Sequence, residues 1–476
     1  MKHRIVLTFL TLWMVFAAAG QTREVHILST NDIHANVQAF PQLAAVADSL
    51  RALYPSMLVL SAGDNRTGDP INDIYEIPAY PIVALMNQVG FHASALGNHE
   101  FDSGGEGLGR VTQLAHFTHL CANIHPDPSL GIHTRPYQIF DIDGVKVGIV
   151  GIVQVGSLGI PDSHPDNCKG MTFSPVEETL EQYKWLRNEC DVVILLSHIG
   201  YEDDVKLSKD IPWVDVIVGG HSHTQLDGGE IHNGIFITQT LNRLDNVTHT
   251  TITLDNGKVV DRRAENIPVA HSTQKNKVVE EMVNFFSSNP EFTRVLCQVV
   301  TPFTTYEELG CMMCDALKAE TSADVAFINR GGVRFDTHPT GPFTVSEVLQ
   351  LDPFGNDVVE VNLTGEELRQ MMLSCSLNDK YGPPCVSGCN VEYTTDKNDS
   401  TLVKNVKLLT EDGKKFDLKR TYKVATQSYT MAICTSPHKD PGRSVNIQTA
   451  NMIMNYLEKR GTIDYAGTCR VKKSNK

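Results

Sequence analysis

Five short polar pieces punctuate the first half of the chain. They are Asp32-x-His34, Gly63-Asp64, Gly97-Asn98-His99-Glu100, His198 and Gly220-His221-Ser222-His223. Each alone is an ordinary polar residue at a strand end. Together they offer carboxylate oxygens and imidazole nitrogens, a donor set that suits zinc, manganese or iron better than calcium or a thiolate-seeking metal. An extended backbone at Asp32-x-His34 would put both side chains on one side, and the same holds for His221-x-His223. Asp64 has two oxygens and could bridge two cations. Two divalent ions about 3.5–4 Å apart can clamp the attacking and leaving oxygens of an in-line phosphoryl displacement. They also lower the pKa of a bridging water, so that a hydroxide exists at neutral pH.

The elements that must position these residues are legible as apolar runs. "VHILSTNDIH" stops at Asn31-Asp32, "SMLVLSAGD" at Asp64 and "HASALGNHE" at Asn98. "VKVGIVGIV" ends near Gln154, "DVVILLSHIG" at His198 and "VDVIVGGHSH" at His221 and His223. Near-continuous Val/Ile/Leu runs predict strands buried on both faces, hence a layered α/β domain between Val25 and about Ile267. Amphipathic stretches predict helices over Pro41–Leu53, Pro78–Val89 and Pro175–Asn188. All the polar pieces fall at C-terminal strand ends, the edge where open α/β sheets bind ligands.

A polar segment around Ser272–Gln298 reads as a linker with a helix from Asn276 to Ser287. Beyond it the pattern changes to α+β. A helix over Tyr306–Thr321 leads to the strand "ADVAFINRGGVR", strands follow at "LVKNVKLLT" and "TYKVATQSY", and a helix around Ala450–Lys459 comes last. The 476 residues carry a net charge of -15, which argues against a nucleic-acid polymer as partner. Lys2 and Arg4 precede an apolar run from Ile5 to Phe16 and then Ala17–Gly20, the pattern of a secretory signal peptide. The run is too short to span a bilayer comfortably, and no second transmembrane candidate follows. The expectation is an exported, periplasmic or extracellular chain that begins near Gln21. Cys385 and Cys389 lie in a Pro/Gly-rich loop and could pair with each other or with Cys375. Cys311 and Cys314 have no second C-x-x-C to complete a four-thiolate zinc site and read as buried apolar residues.

The ordered motif series resembles the calcineurin-like metallophosphoesterase superfamily. With the second domain it resembles the two-domain 5'-nucleotidase family. That resemblance implies an N-terminal four-layer α/β/β/α metallophosphoesterase domain and a C-terminal α+β 5'-nucleotidase-type substrate domain. The corresponding divisions are residues 1–20 as signal peptide, 21–270 as catalytic domain, 271–298 as linker helix and 299–476 as recognition domain. It further implies two divalent metal ions, zinc, manganese or similar. Asp32, His34, Asp64 and His223 would hold one, and Asp64, Asn98, His198 and His221 the other. His99 and Asp102 would form a dyad that stabilises the phosphoryl group or protonates the leaving oxygen, the carboxylate fixing the imidazole tautomer. Glu100 has no role of its own and reads as a support for the site.

Substrate recognition falls on the second domain. Asn329-Arg330-Gly331-Gly332-Val333-Arg334 stands where the family has Asn-Gly-Gly-Gly-x-Arg. Arg334 could pair with a substrate phosphate; Arg330, in place of a glycine, either adds a contact or faces solvent. Asn356, in Asp352-Pro353-Phe354-Gly355-Asn356, is either a ligand contact or a left-handed turn residue. Tyr429 fits a base-stacking position, and Tyr381 is the only aromatic near the other one. The family's Gly-Gly-Asp-Gly is absent, so the base pocket is remodelled. The activity implied is hydrolysis of a nucleotide or related phosphate ester. The alternatives are a cyclic-nucleotide phosphodiesterase, a nucleotide-sugar pyrophosphatase, or a nucleotide-binding protein without turnover.

Overall fold

A computed structural model describes residues 22–474, apart from 73–74, 157, 271, 380, 398 and 435. The expected signal segment, residues 1–20, lies outside the described residues. The apolar runs form two sheets. One has seven strands in the order Lys258–Pro268, Asn246–Asp255, Arg23–Thr30, Leu58–Ser61, Ala93–Ala95, Thr118–Leu120 and Thr134–Arg135. The other has six, from Glu230–His232 through Ile235–Thr238, Val216–Gly219, Val192–His198 and Val145–Val153 to Tyr137–Ile142.

Side-chain alternation explains the layers. Ile27, Leu58 and Leu60 on one sheet meet Val147, Ile194 and Val216 on the other, in a core between the sheets. The opposite faces, Leu28 and Val59 on one and Val193 and Leu195 on the other, pack under separate helical layers. This is the four-layer α/β/β/α arrangement. Helix Lys277–Phe286, capped by the Asn276 side chain, buries Val279, Val283 and Phe286 against the first domain's helices. The segment read as a linker is therefore part of that domain's outer layer. Its last residues, 295–298, lie in strand Val295–Val299, which pairs with Gly341–Thr344 and Thr462–Ile463 of the second domain.

The second domain centres on a five-stranded mixed sheet. Helices Tyr306–Thr321 and Thr449–Arg460 cover one face and Gly365–Asn378 the other. Among the described residues no helix is long and apolar enough to cross a membrane.

Two sequence expectations are corrected. Pro175–Asn188 is not one helix but two short ones, Val176–Glu181 and Leu186–Glu189. Leu180 and Leu186 are both buried, and six residues on a continuous helix would set them about 240° apart. The intervening turn lets both face inward. The cysteines of the loop do not pair: Cys375, Cys385 and Cys389 are all free. Cys385 faces the core under helix Tyr306–Thr321, whereas Cys375 and Cys389 sit in the core across the sheet. Cys311 and Cys314 are buried in that first core, as their apolar reading implies.

Strands Val325–Ile328 and Thr421–Gln427 and helix Val345–Leu351 all end at the edge that faces the first domain. There Gln427 donates Nε2–H to Asp352 Oδ1 at 3.3 Å, while Asp352 Oδ2 and Gln427 Oε1 find no partner among the described residues. Burial pushes the Asp352 carboxyl up to about 7, the Gln427 bond working against it. The unfolded carboxyl ionises near pH 4, so raising the pH from 4 to 7 removes its proton only in the unfolded state. Stability then falls over that window, by at most about 4 kcal/mol, and levels off above pH 7. Asp352→Asn removes this titration. Its melting temperature relative to the unsubstituted protein is expected to rise steadily between pH 4.5 and 7.5 in a thermal-denaturation series.

Candidate functional site

The five polar pieces converge at one end of the paired sheets. Four do so through loops beyond the strands, while His198 is the last residue of strand Val192–His198. Strand Arg23–Thr30 stops before Asp32, and Asp32, His34, Asp64, His221 and His223 all have left-handed backbone, with φ of 49, 46, 53, 75 and 54°. The extended geometry expected of Asp-x-His and His-x-His is therefore absent. Left-handed φ at non-glycine residues costs free energy and persists only where the surroundings impose it. Here the loops impose it on one another. Asp32 N donates to Gly63 O at 3.0 Å, His34 N to Asp64 O at 2.9 Å and Ala35 N to Asn65 O at 2.8 Å. His221 N donates to both oxygens of Asp32, at 3.0 and 3.1 Å.

Glu100 joins the third loop to the second. Its buried carboxylate accepts from Asp64 N at 2.9 Å, Asn65 N at 2.8 Å and Gly97 N at 2.6 Å. Gly97 is required for this closeness, because a Cβ there would lie 2.2 Å from Asp64 Oδ1 and 2.5 Å from Asp64 N. The only sign of this clamp in the sequence is the position of Glu100 beside Asn98 and His99.

The donors fit divalent cations. Asp32, His34 and His223 form one group within 4.8 Å, and Asp64, His198 and His221 another. Asp64 is also grouped with His34 and His99, so it stands between the two sets. His34 donates Nδ1–H to Thr67 O at 3.1 Å, and His198 donates Nδ1–H to Ala62 O at 2.7 Å. Both Nε2 lone pairs are thereby turned inward. His34 Nε2 lies 3.1 Å from His223 Nε2, and His198 Nε2 lies 3.1 Å from Asp64 Oδ2. Asn98 Oδ1 is 2.9 Å from His221 Nδ1 and 3.3 Å from His198 Nε2. Ligand–metal bonds of about 2.1 Å at right angles set donors about 3 Å apart, which is this spacing. Inward lone pairs at such distances repel unless a cation lies among them.

His99 stands beside these groups. Its Nδ1 is 2.8 Å from Asp102 Oδ2, and its backbone N–H donates to Asp64 Oδ1 at 2.8 Å. Asp102 also accepts from Thr67 Oγ1 at 2.8 Å and Ser163 Oγ at 3.1 Å, two partners that the sequence did not indicate. Burial opposes a charge on His99, but the carboxylates of Asp64 and then Asp102 outweigh it and raise its pKa.

The second domain supplies the opposite wall. One cavity of about 110 Å³ is lined by His34, Asp64, Asn98, His99, His221 and His223 from the first domain. Arg334, Phe354, Asn356, Asp379, Tyr381 and Tyr429 line it from the second. Phe354 stacks on His99 with ring centroids 5.7 Å apart, and Arg334 Nη2 donates to His34 Nε2 at 3.4 Å. The Phe354 contact was invisible in the sequence, because it joins rings 255 residues apart (354 − 99). Asn356 accepts from Ser428 Oγ at 3.2 Å, and Gly355, with φ 64°, takes the left-handed turn position instead. Arg330 does not reach this cavity. Its guanidinium lies 3.7 Å from the Tyr306 ring centroid and donates to Tyr381 O at 2.5 Å.

A layered domain with interlocked acidic and imidazole loops, closed by a second α+β domain, defines a class. Residues 25–225 match the family model for calcineurin-like phosphoesterases, and residues 294–434 match that for the 5'-nucleotidase C-terminal domain. The chain belongs to the two-domain 5'-nucleotidase family of that superfamily and is a metal-dependent phosphoric ester hydrolase. It is 26% identical to Protein UshA of Yersinia enterocolitica, covering 97% of this chain and 95% of that one. It is 28% identical to a 5'-nucleotidase of Vibrio cholerae, over 94% and 92%. The crystal structure of a 5'-nucleotidase precursor from Thermus thermophilus shares the fold with a TM-score of 0.84 at 23% identity, over 95% and 100% of the two chains.

Glu100→Ala is expected to strand three buried backbone donors. The loss is about 3 kcal/mol or more in denaturant unfolding, together with reduced metal content in the purified protein.

Proposed function

We propose that the chain is an exported dimetal phosphohydrolase that releases phosphate from nucleotides, a 5'-nucleotidase. The observation that carries this reading is the cavity walled by the inward lone pairs on one side and by Arg334 and the tyrosines on the other. Asp32, His34, Asp64 and His223 would hold one divalent ion, zinc, manganese or similar. Asp64, Asn98, His198 and His221 would hold the second. When bound, the ions supply Lewis acidity toward the phosphoryl oxygens and an activated water for in-line attack.

The chain's own residues do the rest. Arg334 orients a phosphate through its planar fork. His99, held in one tautomer by Asp102, carries a proton at Nε2 toward the phosphoryl oxygens or the leaving oxygen. Phe354 closes one face of the His99 ring and limits water there. Tyr381 and Tyr429 present aromatic surface to the base, with Asn356 alongside. We place the catalytic unit at residues 21–270, with helix Lys277–Phe286 of segment 271–298 packed on its outer layer, and the recognition unit at 299–476, preceded by its strand Val295–Val299. Export rests on the leader pattern of the sequence.

The test is phosphate release over nucleoside mono-, di- and triphosphates, cyclic nucleotides and nucleotide sugars, with each metal in turn. Nucleoside monophosphates are expected to lead; if the cyclic nucleotides or nucleotide sugars do, the substrate assignment is wrong. His99→Ala is expected to lower kcat about 100-fold or more while both metals stay bound. Asp64→Asn is expected to leave fewer than two ions per chain by elemental analysis; two retained ions would refute the bridging role.

A further inference from the structure

Strand Val145–Val153 runs in parallel register beside Val192–His198, yet none of the expected metal ligands follows it. The loop after it is nonetheless tied to the site. Gln154 N donates to His198 O at 2.9 Å. The Gln154 side chain then pairs twice with Asp162, eight residues on. Its Nε2–H donates to Asp162 Oδ1 at 3.1 Å, and its Oε1 accepts from Asp162 N at 3.0 Å. A Cβ at Gly156 would lie 2.8 Å from Asp162 Oδ1 and 3.2 Å from Gln154 Nε2, so glycine there leaves room for the pair. Gly156 N also donates to Ile160 O at 2.8 Å, which closes the loop further.

Asp162 and Ser163 both line the main cavity, and each reaches a different functional group. Asn98 Nδ2 donates to Asp162 O at 3.1 Å, while Asn98 Oδ1 is turned to His221 and His198. A carboxamide can turn over about its Cβ–Cγ bond, and the turned form would offer N–H donors, which cannot ligate a cation. It would also set Asn98 Oδ1 against the Asp162 carbonyl oxygen, two acceptors with no proton between them. The Asp162 carbonyl therefore selects the ligating orientation of Asn98. Ser163 Oγ donates to Asp102 Oδ1 at 3.1 Å, which leaves Asp102 Oδ2 directed at His99 Nδ1.

We propose that Gln154 is a positioning residue for the phosphoester hydrolysis. Through its paired bonds to Asp162 it fixes the carbonyl that aims Asn98 and, one residue on, the hydroxyl that aims Asp102. The inference rests on the reading of Asn98 as a metal ligand. Partners that orient a ligand in this way are worth about 10–100-fold in metal affinity or activity.

The test is stepwise chelation of the metal-loaded full chain, with the ions that remain counted by elemental analysis. Gln154→Met, of similar length but without a donor or a strong acceptor, is expected to release one ion at about tenfold lower chelator concentration than the unsubstituted chain. The other ion is expected to stay, which also reports that the variant is folded. Gly156→Ala crowds the same pair, is expected to weaken the same ion, and covers the case in which Gln154→Met does not fold. Asp162→Asn keeps both the carbonyl and an acceptor for Gln154, and is expected to hold its ions as the unsubstituted chain does. Ser163→Ala is expected to lower kcat about tenfold with KM and both ions unchanged. Unaltered release from Gln154→Met and Gly156→Ala overturns this inference alone. Early release from Asp162→Asn does the same, because it assigns the effect to the Asp162 charge. If Asn98→Ala releases neither ion more readily, the ligand reading fails and this inference with it.

Discussion

Imidazole and carboxylate lone pairs aimed at one another repel, and the first domain is constructed to hold them in that arrangement. Five of the residues concerned sit in left-handed backbone, which none would adopt alone. They are held because the N–H groups of the first loop, at Asp32, His34 and Ala35, donate to carbonyls of the second, and His221 N donates to the Asp32 carboxylate. The Glu100 carboxylate then ties the third loop to the second through three backbone donors. The sheets beneath fix where each loop leaves. Parallel register of Ile27–Thr30 with Leu58–Ser61 sets the Asp32 and Asp64 loops side by side, and that of Leu60–Ser61 with Ala93–Ser94 brings up the loop of Asn98.

The second domain completes what the first leaves open. Phe354 covers His99, and Arg334 bonds His34, so recognition and chemistry share one wall. The chemical division is clear in the residues. The first domain contributes nearly all the anionic and imidazole groups, and the second contributes guanidinium and aromatic groups. Opposite electrostatic character across one cavity is what a phosphate ester with an aromatic base requires at its two ends. The same second-domain edge carries the buried Asp352–Gln427 pair, so the loops that bear Phe354 and Tyr429 are joined by a group whose protonation depends on pH.

The order of the polar pieces, the buried strand runs and the main helices were legible in the sequence because each is local. Helix Tyr306–Thr321 has its capping box, Thr305 and Glu308, written in four consecutive residues. A strand buried on both faces can only be continuously apolar. The donor types likewise declared oxygen and nitrogen ligation of cations. Not legible were the left-handed turns at Asp32 and His221, the Glu100 clamp, the Ser163 and Thr67 bonds to Asp102, and the Phe354 stack. Most of these join segments far apart in the chain, and backbone strain is set by what surrounds a residue, not by its neighbours in sequence. The same reason separates the cysteines: Cys385 and Cys389 are four residues apart, yet the sheet places them in different cores. Residue order alone settles which atoms could bind a cation or a phosphate. Which way those atoms point is settled in three dimensions, because hydrogen bonds between distant loops hold their direction.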